Sequence, residues 1–333
     1  MSAEPASRRT PIETVGGDLL VRRVVRRWPF EVAALPLALR LTLEAEVRRG
    51  RDGERFYRRA SKFVARNLNG RLGLPARGRL RIAQADGGGD VEVVFDGRND
   101  QYLDVVRLPG RAAYESETVA LLDALIGDPD VFYDVGARWG CFSLFIATRP
   151  DFAGSVHAFE PEAQKFADLE SLVRQAELTH RVHCHRLALS NVEGEAPAAE
   201  PGAQQRLDDL GLPPPDVMKI DLAKQQPEVL AGAYDTLETR HPMIIVKTVY
   251  RPGDTEASLM PLELLEELGY ALYRPMWRAT AGHLGDTAPA EGAEGDLALL
   301  PFSAAHRLAF ASDFNALACH ESRRGELLRL FGD

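Results

Sequence analysis

Val131-Phe-Tyr-Asp-Val-Gly-Ala-Arg-Trp-Gly-Cys-Phe-Ser-Leu144 decides the reading of this chain. An apolar run of strand type ends on Asp134, bends through Gly136 and Gly140, and continues as the apolar start of a helix. A turn at that point needs glycine, because a side chain would hold a ligand off the backbone, and the helix that follows offers free amides. Twenty residues past Gly140, Glu160 closes the next strand in Val156-His-Ala-Phe-Glu-Pro161, where a carboxylate can accept both hydroxyls of a ribose. Strand, glycine turn, helix, strand, acid describes a nucleoside pocket.

Outward from this motif the rhythm is strand, helix, strand, helix, which predicts an α/β fold with a mostly parallel sheet and helices on both faces. Seven strands are expected: Val131 to Val135, Ser155 to Phe159, Val182 to Leu187, Val217 to Ile220, Ile244 to Val246, Ala271 to Tyr273 and Leu297 to Leu300. Helical spacing recurs near 140–148, 162–176, 227–238 and 259–268. Residues 278–296 read as a loop, and 304–333 as a C-terminal helical tail. Before the core at 111–303, residues 79–110 read as a small antiparallel β lead-in, with runs at Leu80 to Ala83, Val91 to Phe95 and Tyr102 to Val106. Residues 1–78 read as a basic helical region, polar and disordered up to residue 18, with helices over Pro36 to Arg49 and Glu54 to Leu68; Phe56, Ala60, Phe63, Val64 and Leu68 carry the second periodicity.

The chain has 333 residues, 45% of them hydrophobic and 27% charged, enough for one large or two modest domains. No stretch reaches the roughly 20 apolar residues of a membrane span, and the polar start lacks a signal segment, so a cytoplasmic location is expected. Cys141, Cys184 and Cys319 share no zinc or redox spacing and read as reduced thiols. The net charge of -9 is uneven: residues 1–80 hold 18 Lys and Arg against 8 Asp and Glu, the rest 22 against 41. Such a basic block either meets an anionic partner or is a set of solvated arginine faces.

Spacing separates the cofactor classes. A dinucleotide fingerprint starting at position 134 wants glycines at 134, 136 and 139, where Asp134, Gly136 and Trp139 stand. Asp134, Gly136 and Gly140 instead fit the D-x-G-x-x-x-G loop of S-adenosylmethionine enzymes. From Tyr114 to Pro301 the chain resembles the FkbM family of methyltransferases. The blocks that carry the likeness are Tyr114-Glu-Ser-Glu117, Asp134-Val-Gly-Ala137, Phe159-Glu-Pro161, Leu187-Ala-Leu-Ser-Asn191, Leu207-Asp-Asp-Leu210, Met218-Lys-Ile-Asp221, Pro227-Glu-Val-Leu-Ala-Gly232 and Leu297-Ala-Leu-Leu-Pro301. The resemblance implies a class I, Rossmann-like methyltransferase fold, S-adenosyl-L-methionine as cofactor, and methyl transfer to a hydroxyl of a sugar, glycan or secondary metabolite. It also implies that Asp134, Gly136, Ala137, Gly140, Glu160, Pro161, Ala188 and Leu189 hold the cofactor and that Asp221 is the catalytic acid at its methyl end.

Where the family carries I-D-x-E-G-x-E, this chain reads Ile220-Asp-Leu-Ala-Lys-Gln-Gln226, and a glutamate closing the fifth strand is replaced by Lys247. Ala223, Gln226 and Lys247 stand where acids are usual, Lys224 where glycine is, and Arg138 and Trp139 depart within the first motif. These changes are expected to make the local potential positive, placing Lys224, Lys247 and Arg138 against an acceptor that is anionic and disfavouring a metal. The competing expectation is a binding module with impaired catalysis that recruits an anionic partner through residues 1–78. His183 and His185 flank Cys184 on one strand face, but without a third ligand they read as packing or surface groups, and His157 as a core histidine.

Overall fold

The computed structural model describes residues 18–83, 89–98, 102–105, 114–192, 204–222, 224–251, 253–279, 282–285 and 287–332. In chain order the first elements are β1 (Leu20–Val25), β2 (Phe30–Ala34), α1 (Leu37–Val47), α2 (Glu54–Phe63), β3 (Arg77–Ala83), β4 (Asp90–Asp96), α3 (Tyr102–Val105) and α4 (Ser116–Leu125). Then follow β5 (Val131–Val135), α5 (Cys141–Ala147), β6 (Ser155–Phe159), α6 (Ala163–Gln175), β7 (Val182–His185), β8 (Ala188–Leu189), β9 (Gln204–Gln205) and β10 (Val217–Ile220). The remainder is α7 (Gln226–Ala231), α8 (Tyr234–Arg240), β11 (Met243–Thr248), α9 (Thr255–Glu267), β12 (Tyr270–Arg278), β13 (Leu284–Gly285), β14 (Glu294–Phe302), β15 (Phe314–His320) and α10 (Arg324–Phe331). Among the described residues, no helix is long and apolar enough to cross a membrane.

One large sheet organises the molecule, in the order β1-β14-β12-β15-β11-β10-β5-β6-β7, with β13 on β12. All seven expected strands lie in it, but the count rises to ten among the described residues, and the sheet is half parallel and half antiparallel. From β11 to β7 every pairing is parallel; from β11 through β15, β12 and β14 to β1 every pairing is antiparallel. Side chains alternate across the sheet as a two-residue period requires. Phe132, Val156, Val182, Val217 and Ile245 join α4, α5, α6 and α10 in one apolar layer. Tyr133, Phe159, Met218, Ile220 and Val246 join α7, α8 and α9 in the other. The chain leaves β5 toward β6 and β7, then returns to β10 on the other side, so the strand order reverses between β5 and β10, the kind of switch point at which open α/β sheets hold ligands.

Three readings are corrected. The span 304–333 contains β15, inserted between β11 and β12 and buried from Asn315 to Cys319; its alanines favour helix locally, and burial on both faces overrides them. Residues 20–25 are a strand pairing with β14 from Leu20↔Leu299 to Val25↔Glu294. Tyr102 to Val105 is helical, and Tyr102 stacks on Phe95 and Trp139 while its hydroxyl donates to Asp168. Within the N-terminal region α1 and α2 are helical, α2 ending at Phe63 and continuing as a π-helical stretch, Val64–Arg71. The start, expected to be disordered up to residue 18, lies outside the described residues as far as residue 17. A second sheet, β2-β3-β4, is fixed to the core by α6: Gln175 bonds both the N–H and the carbonyl of Val94, and Asp168 accepts from Asp96 N.

Candidate functional site

The loop between β5 and α5 needs left-handed backbone at Gly136 (φ 81°), Arg138 (φ 60°) and Gly140 (φ 89°). The glycines are demanded by the chain itself. A Cβ on Gly136 would meet the Asp221 carbonyl at 2.7 Å, and one on Gly140 would meet Leu169 Cδ1 at 2.4 Å. The amides of Gly136 and Ala137 both donate to Phe159 O at 3.0 Å, which holds the loop over β6. Trp139, out of place in the family pattern, is buried and packs edge-on to Phe30 and against Tyr102. Its indole docks the small sheet onto the core.

Two buried carboxylates flank this loop. Asp134 is fully buried and turns to the start of α5, where Oδ2 accepts from Ser143 N at 3.1 Å and Ser143 Oγ at 2.6 Å. Its Oδ1 is buried and accepts no hydrogen bond among the described residues. Burial pushes its pKa up to about 6, with Lys219 and Ser143 opposing. Glu160 is 5% exposed; Oε2 accepts from Arg138 N at 3.0 Å and Oε1 from Glu162 N at 2.9 Å. Burial raises its pKa, and those amides oppose the shift. Each oxygen keeps a further lone pair for an incoming hydroxyl. Pro161 follows at the surface of the same turn, while Ala188 and Leu189 form β8, with Leu189 buried near Phe159 in the second apolar layer.

A knot of charge lies across β10 and β11. Lys219, wholly buried, places Nζ 3.1 Å from Asp221 Oδ2 without a well-aligned hydrogen bond, 3.7 Å from Glu115 Oε2 and over the Phe142 ring at 4.2 Å. Lys247 places Nζ 3.0 Å from Asp221 Oδ1 and 3.7 Å from Glu115 Oε1. Asn315, opposite Lys247 on β15, donates to Glu115 at 3.0 Å and Thr118 Oγ1 at 2.8 Å. Burial alone would raise the Asp221 pKa, but Lys219 and Lys247 overcome it and hold the carboxyl well below its ordinary range. Burial alone would lower Lys219; Asp221, Glu115 and Asp134 more than reverse it.

Around Asp221 charge is paired rather than positive, with Lys219 and Lys247 facing Asp221 and Glu115. Lys224 is exposed beyond β10, Ala223 lies outside the described residues, and Lys247 is the substituted residue that joins Asp221. Arg138 acts on Tyr114, whose pKa burial raises, with Glu115, Cys141 and Asp221 adding and Arg138 opposing. Gln226 has a role of its own: Nε2 donates to Leu222 O and, at 3.1 Å, to Lys247 O, tying the ends of β10 and β11. A glutamate could not make that tie, since a carboxylate offers no donor. Glu115, Lys219, Asn315 and Ser143 were not singled out by sequence; a lysine inside the four-residue buried strand Val217–Ile220 is the signal that acids must converge on it.

His157, His183 and His185 meet on one sheet face, with His157 Nδ1 3.1 Å from His185 Nε2 and the His157 and His183 rings 5.0 Å apart. Among the described residues no group of three or more His, Cys, Asp or Glu is arranged to hold a metal ion. Among the described residues none of the three cysteines forms a disulfide, and Cys141 and Cys319 are buried.

No protein-family model matches the chain, and no curated protein matches it. Solved structures are loosely similar. The methyltransferase FkbM from Methylobacillus flagellatus KT is 18% identical, covering 52% of this chain and 44% of that one, with a TM-score of 0.36. An O-methyltransferase from Bacillus cereus, crystallised with SAH, is 17% identical over 55% of this chain and 79% of its own, at 0.37. A SAM-dependent O-methyltransferase from Thermotoga maritima is 14% identical over 66% and 77%, at 0.35. The chain spans less than half the length of the FkbM protein. The strand order and side-chain geometry above are independent of these likenesses.

Proposed function

We propose that the chain is an S-adenosylmethionine-dependent methyltransferase acting on a hydroxyl of a sugar, glycan or secondary metabolite. The pair of buried carboxylates astride the glycine loop carries this reading. Asp134 Oδ1 is a buried acceptor without a donor, which an ammonium group would satisfy, and Glu160 retains acceptor sites suited to a ribose diol. In this reading Gly136, Ala137 and Gly140 shape the slot, Pro161, Ala188 and Leu189 border the adenosine, and residues 111–303 form the catalytic core. The bound cofactor would supply an electrophilic methyl group on a sulfonium. The chain's part is to orient the acceptor oxygen toward it above β10 and β11 and to keep water away. Balanced charges around Asp221 remove the reason to prefer an anionic acceptor.

One observation favours a second reading, a module that keeps the slot without turnover: both oxygens of Asp221 are met by ammonium groups, Lys219 at 3.1 Å and Lys247 at 3.0 Å, which hold the carboxyl well below its ordinary range and make it a weak proton acceptor. Titration calorimetry with S-adenosylmethionine and its demethylated product, followed by transfer of a labelled methyl group to hydroxyl acceptors, separates the two. The proposal expects binding that weakens by roughly tenfold or more in Glu160→Ala, the value of a hydrogen bond to a charged group. Absence of binding at millimolar ligand overturns the cofactor assignment. Binding without transfer selects the second reading.

A further inference from the structure

The exposed side of α2 and its π-helical continuation has no part in the slot. From Arg55 to Arg77 the sequence contains no Asp or Glu. Arg55, Arg59, Lys62 and Arg66 recur at intervals of four, three and four, which sets them in one stripe along a helix, and all four are exposed. The hydrogen bonding of a π-helix spans five residues, so Arg71 follows Arg66 by one turn on that side. None of these five cations is in an ion pair among the described residues. The nearby acids are engaged elsewhere: Glu54 and Glu46 hold Arg58, and Glu44 holds Arg48.

On the same helix and just past its end stand large apolar groups facing water. Phe56 and Phe63, one double turn apart, are 67% and 59% exposed, and Leu72 and Leu74 past the helix end are 68% and 49% exposed. The inner side of the same helix is accounted for, since Ser61 bonds Ala38 O and Thr42 on α1 and Val64 is buried. Sequence periodicity would send Phe56 and Phe63 inward with Val64, and the structure sends them out.

We propose that this face is a docking surface for an anionic phospholipid bilayer, with the cations at the headgroups and Phe56, Phe63, Leu72 and Leu74 at the headgroup–acyl boundary. Charge complementarity and the apolar residues together select this occupant. Nucleic acid or a polyanionic glycan would use the cations but gives exposed leucines nothing apolar to enter, whereas a bilayer interface takes both kinds of side chain. The inference is independent of the cofactor reading.

The test is co-sedimentation of the full chain with vesicles of phosphatidylcholine alone or with about one third phosphatidylserine, at low and high salt. Expected is binding to the anionic vesicles only, weakened by salt, and reduced about tenfold or more both in Phe56→Ser/Phe63→Ser and in Arg59→Gln/Lys62→Gln/Arg66→Gln. Circular dichroism of both variants checks that they remain folded. Absence of binding to anionic vesicles at low salt overturns the proposal. So does binding that the phenylalanine variant leaves unchanged, or a preference for duplex DNA over vesicles when the two compete, either of which makes the face a simple polyanion site.

Discussion

Lys247 Nζ lies 3.0 Å from Asp221 Oδ1 while Lys219 Nζ lies 3.1 Å from the other oxygen of the same carboxylate. The two lysines differ in burial: Lys219 is wholly enclosed and Lys247 is 29% exposed. Removing a buried partner strands its counter-charges, whereas a partly exposed one is replaced by water. Lys219→Met is therefore expected to cost about 3–5 kcal/mol of stability, and Lys247→Met about 1 kcal/mol or less. Urea unfolding of both variants measures the contrast. Equal losses would mean that the two lysines share the carboxylate on equal terms.

Gln226→Glu introduces an acid where the FkbM pattern has one but removes the donor shared by Leu222 O and Lys247 O. The expected loss is about 1–3 kcal/mol, the cost of leaving buried acceptors unmet. A protonated glutamate can still donate once, so its folded pKa is raised. The variant is then least impaired in acid and loses stability as pH rises through that pKa. Melting temperatures of variant and parent at pH 5 and 8 should diverge toward pH 8.

His157 and His185 are both brought down to about 4, chiefly by burial and further by neighbouring histidines. With folded values below the unfolded 6.5, the unfolded chain binds more protons between pH 6.5 and 4. Their contribution is complete above 6.5 and is lost as pH falls through that window. Asp134 and Asp168, each raised to about 6, push the other way, their contribution fading as pH rises toward 6. Replacing both histidines by glutamine should remove the acid-side decline while leaving the opposing carboxylate slope, read from urea midpoints between pH 4.5 and 7.

What could be read in advance follows from which forces act locally. Val131–Val135 and Ser155–Phe159 are short apolar runs closed by Asp134 or Glu160 and a turn, so strand, bend and acid stood out together. Phe314–His320 did not, because its alanines speak for helix and only the neighbours β11 and β12 make it a strand. The charge knot was half legible. Asp221 and Lys247 were noticed as strand-end residues, but their partner Glu115 and its anchor Asn315 are 200 positions apart and meet only once the sheet is complete. The glycines were identified for an incomplete reason, since Gly136 is pressed by the Asp221 carbonyl whatever lies in the slot.

The position of β15 has a consequence for biogenesis. It is the seam between the two halves of the sheet, touching β11 on one side and β12 on the other. Synthesis must proceed past His320 before those halves can be stitched, although β5 and β6 were made more than 150 residues earlier. Until then β11 and β12 each present an unpaired edge, the kind of surface that recruits foreign strands. A nascent chain of this protein therefore exposes those two edges until β15 is made, and stalling just before Phe314 would leave it sticky rather than half finished.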